Sequence, residues 1–159
     1  GALAAALGEM VLAYSNDPAK PADDLRELVR RLTEGRRRML SLVEEDARSY
    51  EAVRAARKAR KGRPGDASTE AAYLSALRGA ASVPLETARL SEELSVTLEG
   101  ARARTKPALA SDLVTALALF RSATEGALAN VAINLDDLKA AGEPTAEVEA
   151  ELQRLRAKG

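Results

Sequence analysis

The chain has 159 residues, with 24 basic and 24 acidic side chains and neither histidine nor cysteine. Balanced charge gives no general attraction to nucleic acid or to an anionic membrane surface, so neither is expected as a partner. Without histidine and cysteine, a Ser-His-Asp triad, a thiol nucleophile and a zinc site with imidazole or thiolate ligands are excluded, and no metal site is expected. Any proton transfer must therefore use Asp, Glu, Lys, Tyr or water.

Alanine dominates the apolar residues, with 34 alanines against three tyrosines and one phenylalanine. Alanine-rich faces let helices approach closely, but each buried residue removes little area from water. We therefore expect a thin core that a second copy of the chain completes, as a homodimer. No apolar run approaches the roughly 18 residues that span a bilayer, and no signal peptide is evident. Without cysteine there is no sign of disulfides, so a cytoplasmic location is the default expectation.

Five segments have helical periodicity, and no segment alternates like a strand. The first segment, Ala2 to Tyr14, is rich in small residues and ends at the two prolines of "SNDPAKPADD". The second runs from about Asp24 to Arg60, with an apolar seam at three- and four-residue spacing. The seam consists of Leu25, Leu28, Leu32, Gly35, Met39, Leu42, Asp46, Tyr50 and Val53. A carboxylate at Asp46 on a buried seam needs a partner, either an arginine or a ligand.

Three further helical segments complete the chain. The third begins after "KGRPGDAST", and Pro84 is predicted to kink it or to divide it near Ser82. The fourth follows "TKPALASD" and reaches Leu138, with Ser111 as its predicted N-cap. A short charged helix follows "AAGEPT". Short loops favour antiparallel neighbours, so the predicted fold is a single all-α bundle of about five helices spanning residues 1–159.

The fourth helix carries three polar side chains on one side. At 100° per residue, the 18 positions from Asp112 to Asn130 make five whole turns, and Asn134 lies about 40° away. The residues between them on this face are expected to be buried: Ala116, Leu119, Ala123 and Ala127. Buried polar groups need partners, which here include a ligand. The alternatives are a favourable dipole interaction for Asp112 in the first turn and register-fixing interhelical hydrogen bonds for the two asparagines.

Four motifs in chain order resemble the cyclodeaminase/cyclohydrolase family of folate enzymes. "GALAAALGEMV" is similar to the family's first small-residue helix, and "LVEEDARSYEAV" to its acidic stretch, which aligns Asp46 and Tyr50 with the family's Asp and aromatic residue. "AASVPLETARL" resembles its Val-Pro-Leu element. The fourth helix matches best, with Ser-Asp in "SDL" and Asn-Val-x-Ile-Asn in "ANVAIN". The resemblance covers nearly the whole chain in order and spacing.

The resemblance implies an enzyme whose substrate is a tetrahydrofolate derivative carrying a one-carbon bridge, with no other cofactor. Such enzymes hydrolyse methenyltetrahydrofolate to formyltetrahydrofolate, or close formiminotetrahydrofolate with loss of ammonia. Asp112 is expected to be the catalytic acid/base or cation-stabilising carboxylate, because carboxylates transfer protons and amides do not. Asn130 lies about 27 Å away along the helix, too far to reach the same carbon. The residues expected to bind substrate are Lys20, Asp46, Ser111, Asn130 and Asn134.

The sequence also departs from the family pattern. The family carries a Pro-Gly-Gly-Gly-type loop before the first helix, whereas this sequence begins at Gly1. "ARTKPALASD" replaces the family's Gly-x-x-Asn stretch, and a lysine-rich piece is reduced to Lys20. A glycine-rich loop offers backbone N–H groups to a ligand. A non-catalytic helical bundle is therefore kept as the alternative, and a glycine-rich loop upstream is expected to distinguish the two.

Overall fold

A computed structural model describes residues 1–158, and these residues form α-helices without a strand. The helices are α1 (Ala2–Ser15), α2 (Asp23–Gly62), α3 (Ala67–Gly100), α4 (Ala110–Ala140) and α5 (Ala146–Arg156). Two 3-10 turns, Arg102–Arg104 and Pro107–Leu109, connect α3 to α4. The prediction of an all-α fold with five helical segments is confirmed.

The helix ends follow from local hydrogen bonding. After α1, the side-chain amide of Asn16 both accepts from the N–H of Ala22 and donates to its carbonyl, which holds the turn before α2. Before α3, the Asp66 carboxylate accepts hydrogen bonds from Ser68 and Thr69, as an N-cap does. The hydrogen bond of the Ser68 hydroxyl, together with a smaller contribution from these backbone hydrogen bonds, lowers the pKa of Asp66 below its ordinary value.

Helix α4 ends at Ala140, and Gly142 just beyond it is one of two positive-φ glycines in the part of the chain described. Its φ is 77°, a conformation that costs other residues about 1–2 kcal/mol. The N–H of Glu143 donates to the carbonyl of Leu138, and the N–H of Gly142 donates to that of Lys139. These two hydrogen bonds form the Schellman motif, which satisfies the last carbonyls of the helix.

Helix α3 continues through Pro84 as one element of 34 residues. Of the two outcomes predicted for this proline, a division of the helix near Ser82 is therefore wrong. Pro84 is itself buried. Proline lacks the N–H that would bond to the carbonyl four residues earlier, that of Ala80. A continuous helix at this point requires another donor for that carbonyl.

The described residues form two compact units, and the prediction of a single domain stays a prediction. Unit 1 comprises Gly1–Ser41 and Thr87–Thr124. Its largest fully buried side chains are Val11, Leu12, Leu32, Leu98, Leu113 and Phe120. Helices approach closely at Gly35, where an added Cβ would lie 2.4 Å from Leu94 Cδ1. An ion pair between Glu9 and Arg36, 2.6 Å from oxygen to Nε, joins α1 to α2.

Unit 2 comprises Leu42–Glu86 and the described residues from Glu125 onward. One of its apolar clusters consists of Tyr73, Leu77, Ala81 and Leu138, with Val53, Ala56, Leu74 and Ala141 packed against it. The guanidinium of Arg60 lies 4.8 Å from the centre of the Tyr73 ring. Lys139 bonds Glu149 over 2.7 Å and joins α4 to α5. Among residues 1–158, no helix has both the length and the apolar character that a bilayer crossing needs.

Candidate functional site

Asp112 lies in the first turn of α4, where its sequence position placed it. Its side chain is half-buried, and a carboxylate near a helix N-terminus is favoured by the macrodipole. Ser111 is exposed and already within the helix, which begins at Ala110, so its prediction as N-cap is wrong. The Pro107–Leu109 turn supplies the start instead, because proline fits the first turn of a helix without a lost hydrogen bond. Asp112 is thus a partly desolvated carboxylate at the positive end of α4.

The polar face of α4 is less buried than its spacing predicted. Ala116 and Ala127 are buried, but Leu119 and Ala123 are only partly so, and Asn130 is exposed. The core side of α4 is centred instead on Phe120, which is about 80° around the helix from Asp112. The line from Asp112 to Asn130 therefore follows one flank of the core-facing side. The expectation that Asn130 is buried is wrong.

Asn134 provides the donor that Pro84 removes from α3. Its Nδ2 donates to the carbonyl of Ala80 over 2.8 Å, within unit 2. Ala80 is 9% exposed, so water has little access to this residue. The interhelical hydrogen bond considered for Asn134 is therefore confirmed. It joins two motifs that are 54 positions apart in the chain, the Val-Pro-Leu element and "ANVAIN".

Asp46 is exposed on α2, so the prediction that it lies on a buried seam is wrong. The seam is buried at Met39 and Leu42, exposed at Asp46 and Tyr50, and partly buried again at Val53. Tyr50 is 63% exposed, with the Arg54 guanidinium 5.9 Å from its ring centre. The Asp46 carboxylate pairs with no arginine or lysine of residues 1–158. The ion-pair alternative is therefore excluded within the described chain, and the substrate-binding role stays a prediction.

Lys20 is exposed in the turn between α1 and α2. Its backbone N–H donates to Asp17, and its ammonium points to no described partner. A second lysine is more firmly placed: Lys106 donates from Nζ to the Tyr14 carbonyl over 2.6 Å and from its N–H to Ser15 Oγ over 3.1 Å. These two hydrogen bonds hold the end of α1 against the segment that leads into α4.

The six residues predicted for the site divide evenly between the units. Unit 1 contains Lys20, Ser111 and Asp112, and unit 2 contains Asp46, Asn130 and Asn134. A cluster of three or more acidic side chains suited to a metal ion is not found among residues 1–158. The catalytic role of Asp112 and the binding roles of the other five stay predictions.

A groove in unit 1 was not anticipated from the sequence. It has a volume of about 670 Å³ and lies between the last turns of α3 and the first turns of α4. Its residues are Ser95, Val96, Glu99, Gly100, Arg102, Val114, Leu117, Ala118 and Arg121. Two of these residues, Val96 and Val114, are 61% and 55% exposed. Both valines lie off the core-facing seams of their helices, which is the signal in the sequence that would have indicated this surface.

Comparison with known proteins gives a family and a related structure. A family model described as formiminotransferase-cyclodeaminase matches residues 1–154. The crystal structure of formiminotetrahydrofolate cyclodeaminase from Thermotoga maritima is similar, with a TM-score of 0.73 and 28% sequence identity. The likeness covers 99% of this chain and 79% of that chain. No curated protein matches the sequence.

Proposed function

Because this chain belongs to the formiminotransferase-cyclodeaminase family, we propose that it is a folate one-carbon enzyme that closes formiminotetrahydrofolate with loss of ammonia. The observation that carries the proposal is the match over residues 1–154, supported by a cyclodeaminase structure that is similar over nearly the whole chain. Hydrolysis of methenyltetrahydrofolate is the second candidate, because it involves the same carbon. Cyclodeamination is preferred because the matching family and the similar crystal structure are both named as cyclodeaminases.

In the proposed reaction, N10 of the folate bonds to the formimino carbon and the bond from that carbon to the imino nitrogen breaks. The imino nitrogen leaves as ammonia after gaining protons, and N10 loses its proton. The product is a methenyl bridge with a delocalised positive charge. Each step needs a proton carrier, and the transition state benefits from a nearby negative charge.

Asp112 is the carboxylate proposed for this chemistry. It is half-buried, so its charge is less screened than that of an exposed acid. It also lies in unit 1 beside Ser111, whose hydroxyl offers a hydrogen bond to a ligand. Asp112 also lies in the first turn of α4, where a carboxylate interacts favourably with the helix macrodipole.

The test is turnover of formiminotetrahydrofolate, followed by the near-ultraviolet absorbance of the methenyl product and by released ammonia. Asp112→Asn is expected to lower kcat by roughly 100-fold or more, the scale for losing a general acid/base. Glu147→Gln is the matched control, because Glu147 is an exposed first-turn carboxylate of another helix, α5. Full activity of Asp112→Asn would remove Asp112 from the mechanism. A folded wild-type chain that gives neither the methenyl absorbance nor released ammonia would favour the non-catalytic bundle.

We also propose that the chain is a homodimer, and α1 supports this. Its sole charged residue, Glu9, pairs with Arg36, and the rest of the helix is apolar up to Tyr14 and Ser15 at its end. One line along the helix, at spacings of four, three and four, consists of Leu3, Leu7, Met10 and Tyr14, of which Leu7 and Met10 are half-buried against the core of unit 1. Leu3 and Tyr14 are each 69% exposed, although helices that are apolar on all sides are normally buried.

Light scattering is expected to give the mass of two chains at micromolar concentration. Leu3→Glu should shift the protein toward the monomer. The control Val43→Glu also replaces an exposed apolar residue with a charged one, at a valine of α2 that is 67% exposed, and it should leave the dimer intact. A monomeric wild type would contradict the proposal.

A further inference from the structure

The groove of unit 1 combines an apolar floor with one unpaired cation. Val96, Val114 and Leu117 contribute the floor, and Gly100 leaves space because it has no side chain. An added Cβ at Gly100 would meet no atom within 4 Å. The volume, about 670 Å³, lies within the range of about 300–1,000 Å³ that is usual for small-molecule sites.

The charges around the groove do not cancel. Glu99 and Arg102 satisfy each other through two hydrogen bonds of 2.5 and 2.7 Å. Arg121, on the α4 side, forms no ion pair or side-chain hydrogen bond with any residue from 1 to 158. One guanidinium therefore remains for an anionic group of a ligand. Ser95 adds a hydroxyl at the α3 side.

We propose that this groove binds a small aromatic carboxylate, with its ring on the two valines and its carboxylate on Arg121. A guanidinium presents two parallel N–H groups to a carboxylate and also stacks on aromatic faces, so it recognises both parts of such a ligand. Because Arg102 is already occupied by Glu99, Arg121 is the guanidinium that holds a carboxylate of the ligand.

The groove is distinct from the surroundings of Asp112. Val114 follows Asp112 by two residues and is therefore about 160° around α4 from it, on the other side of the helix. A ligand in the groove does not reach the Asp112 carboxylate of the same chain. The inference therefore stands apart from the proposed catalytic role of Asp112.

The first experiment compares a matched pair of probes, naphthalene-1-acetate and its neutral amide, by NMR titration of the full chain. The acid is expected to bind with a dissociation constant on the order of 1 mM, the strength of a fragment-sized ligand. The amide should bind about 10-fold more weakly. Equal binding of the two probes would overturn the proposal, because the charge would then contribute nothing.

Variants locate the binding. Arg121→Gln should weaken the acid about 10-fold and leave the amide unchanged, whereas Arg37→Gln, at an exposed arginine of unit 1 outside the groove, should change neither. Val114→Ser should weaken both probes about threefold. The assignment would be contradicted if Arg121→Gln bound the acid as tightly as the wild type does. It would also be contradicted if Arg37→Gln lost as much affinity for the acid as Arg121→Gln. All three variants change exposed side chains, so the fold is expected to be retained.

Competition identifies the source of the natural ligand. 4-Aminobenzoyl-glutamate, the acidic half of a folate, displaces the acid probe if the groove serves folates. If a simple aromatic acid such as benzoate displaces the probe and the folate half does not, the groove takes an aromatic acid of another kind. Displacement by neither would reject the aromatic carboxylate class. None of these results depends on turnover, so a failure here and a failure of the folate activity are distinguishable.

Discussion

Replacing Asn134 with leucine is expected to destabilise unit 2 through a carbonyl on a different helix. Pro84 has no N–H, so the Ala80 carbonyl depends on the Asn134 amide, 2.8 Å away. Leucine keeps the number and branching of the side-chain heavy atoms of asparagine but cannot donate a hydrogen bond. A carbonyl on a residue only 9% exposed then loses its partner, at a cost of about 1–3 kcal/mol in the free energy of unfolding.

A double-mutant cycle tests the physical reason and not merely the size of the effect. Pro84→Ala restores a backbone N–H that bonds the Ala80 carbonyl, so Asn134→Leu should cost less than about 0.5 kcal/mol in that background. The coupling energy between positions 84 and 134 should therefore be about 1 kcal/mol or more, well above the 0.3–0.5 kcal/mol scatter of independent sites. Pro84→Ala alone should be stabilising, because proline inside a helix costs about 3 kcal/mol relative to alanine.

Urea unfolding of the four proteins, followed by far-ultraviolet circular dichroism, measures the cycle. Asn130→Leu is the matched control, because Asn130 is an exposed amide one turn earlier on the same helix; it should change stability by no more than about 0.5 kcal/mol. Additive effects at positions 84 and 134 would refute the explanation, even if Asn134→Leu were strongly destabilising.

Three further measurements concern other parts of the chain. Gly126→Ala should raise stability by about 0.5–1 kcal/mol, because the position is exposed inside α4 and an added Cβ meets nothing within 4 Å. Gly142→Ala should instead lower stability by about 1–2 kcal/mol, because its φ is 77°. A change of the same sign for both variants in urea unfolding would contradict the backbone argument. A hydrogen bond from Arg78 lowers the pKa of Glu143 below its ordinary value of 4.5, so the stabilisation is present above that value and is lost as the pH falls through the lowered pKa. Glu143→Gln should therefore be less stable than the wild type near pH 7 and equal to it in acid; a stability difference that persisted in acid would exclude the ionised carboxylate as its cause. Asp46→Asn should leave stability within about 0.5 kcal/mol, because the carboxylate is exposed, and a loss of several kcal/mol would restore the buried ion-pair interpretation.

The sequence by itself determined the helices and most of their ends. Helical periodicity and the residues that break it act over a few positions, so the segments beginning near Ala2, Asp24 and Ala146 were predicted close to their observed bounds. The first-turn position of Asp112 also follows from local sequence. Ser111 was misassigned as a cap because serine is a good cap residue, whereas the Pro107–Leu109 turn had already begun the helical path.

The tertiary structure decided which residues on each helix are buried. The seam of α2 keeps its periodicity past Leu42, yet Asp46 is exposed, because burial requires another helix opposite the seam. In the same way, Asn130 and Asn134 differ by one turn, but only Asn134 faces a carbonyl that Pro84 has left without a donor. The groove beside Arg121 is formed by residues of two helices, so no single segment encodes it. Periodicity is a property of one helix, whereas burial and hydrogen-bond partners depend on which other helix lies against it.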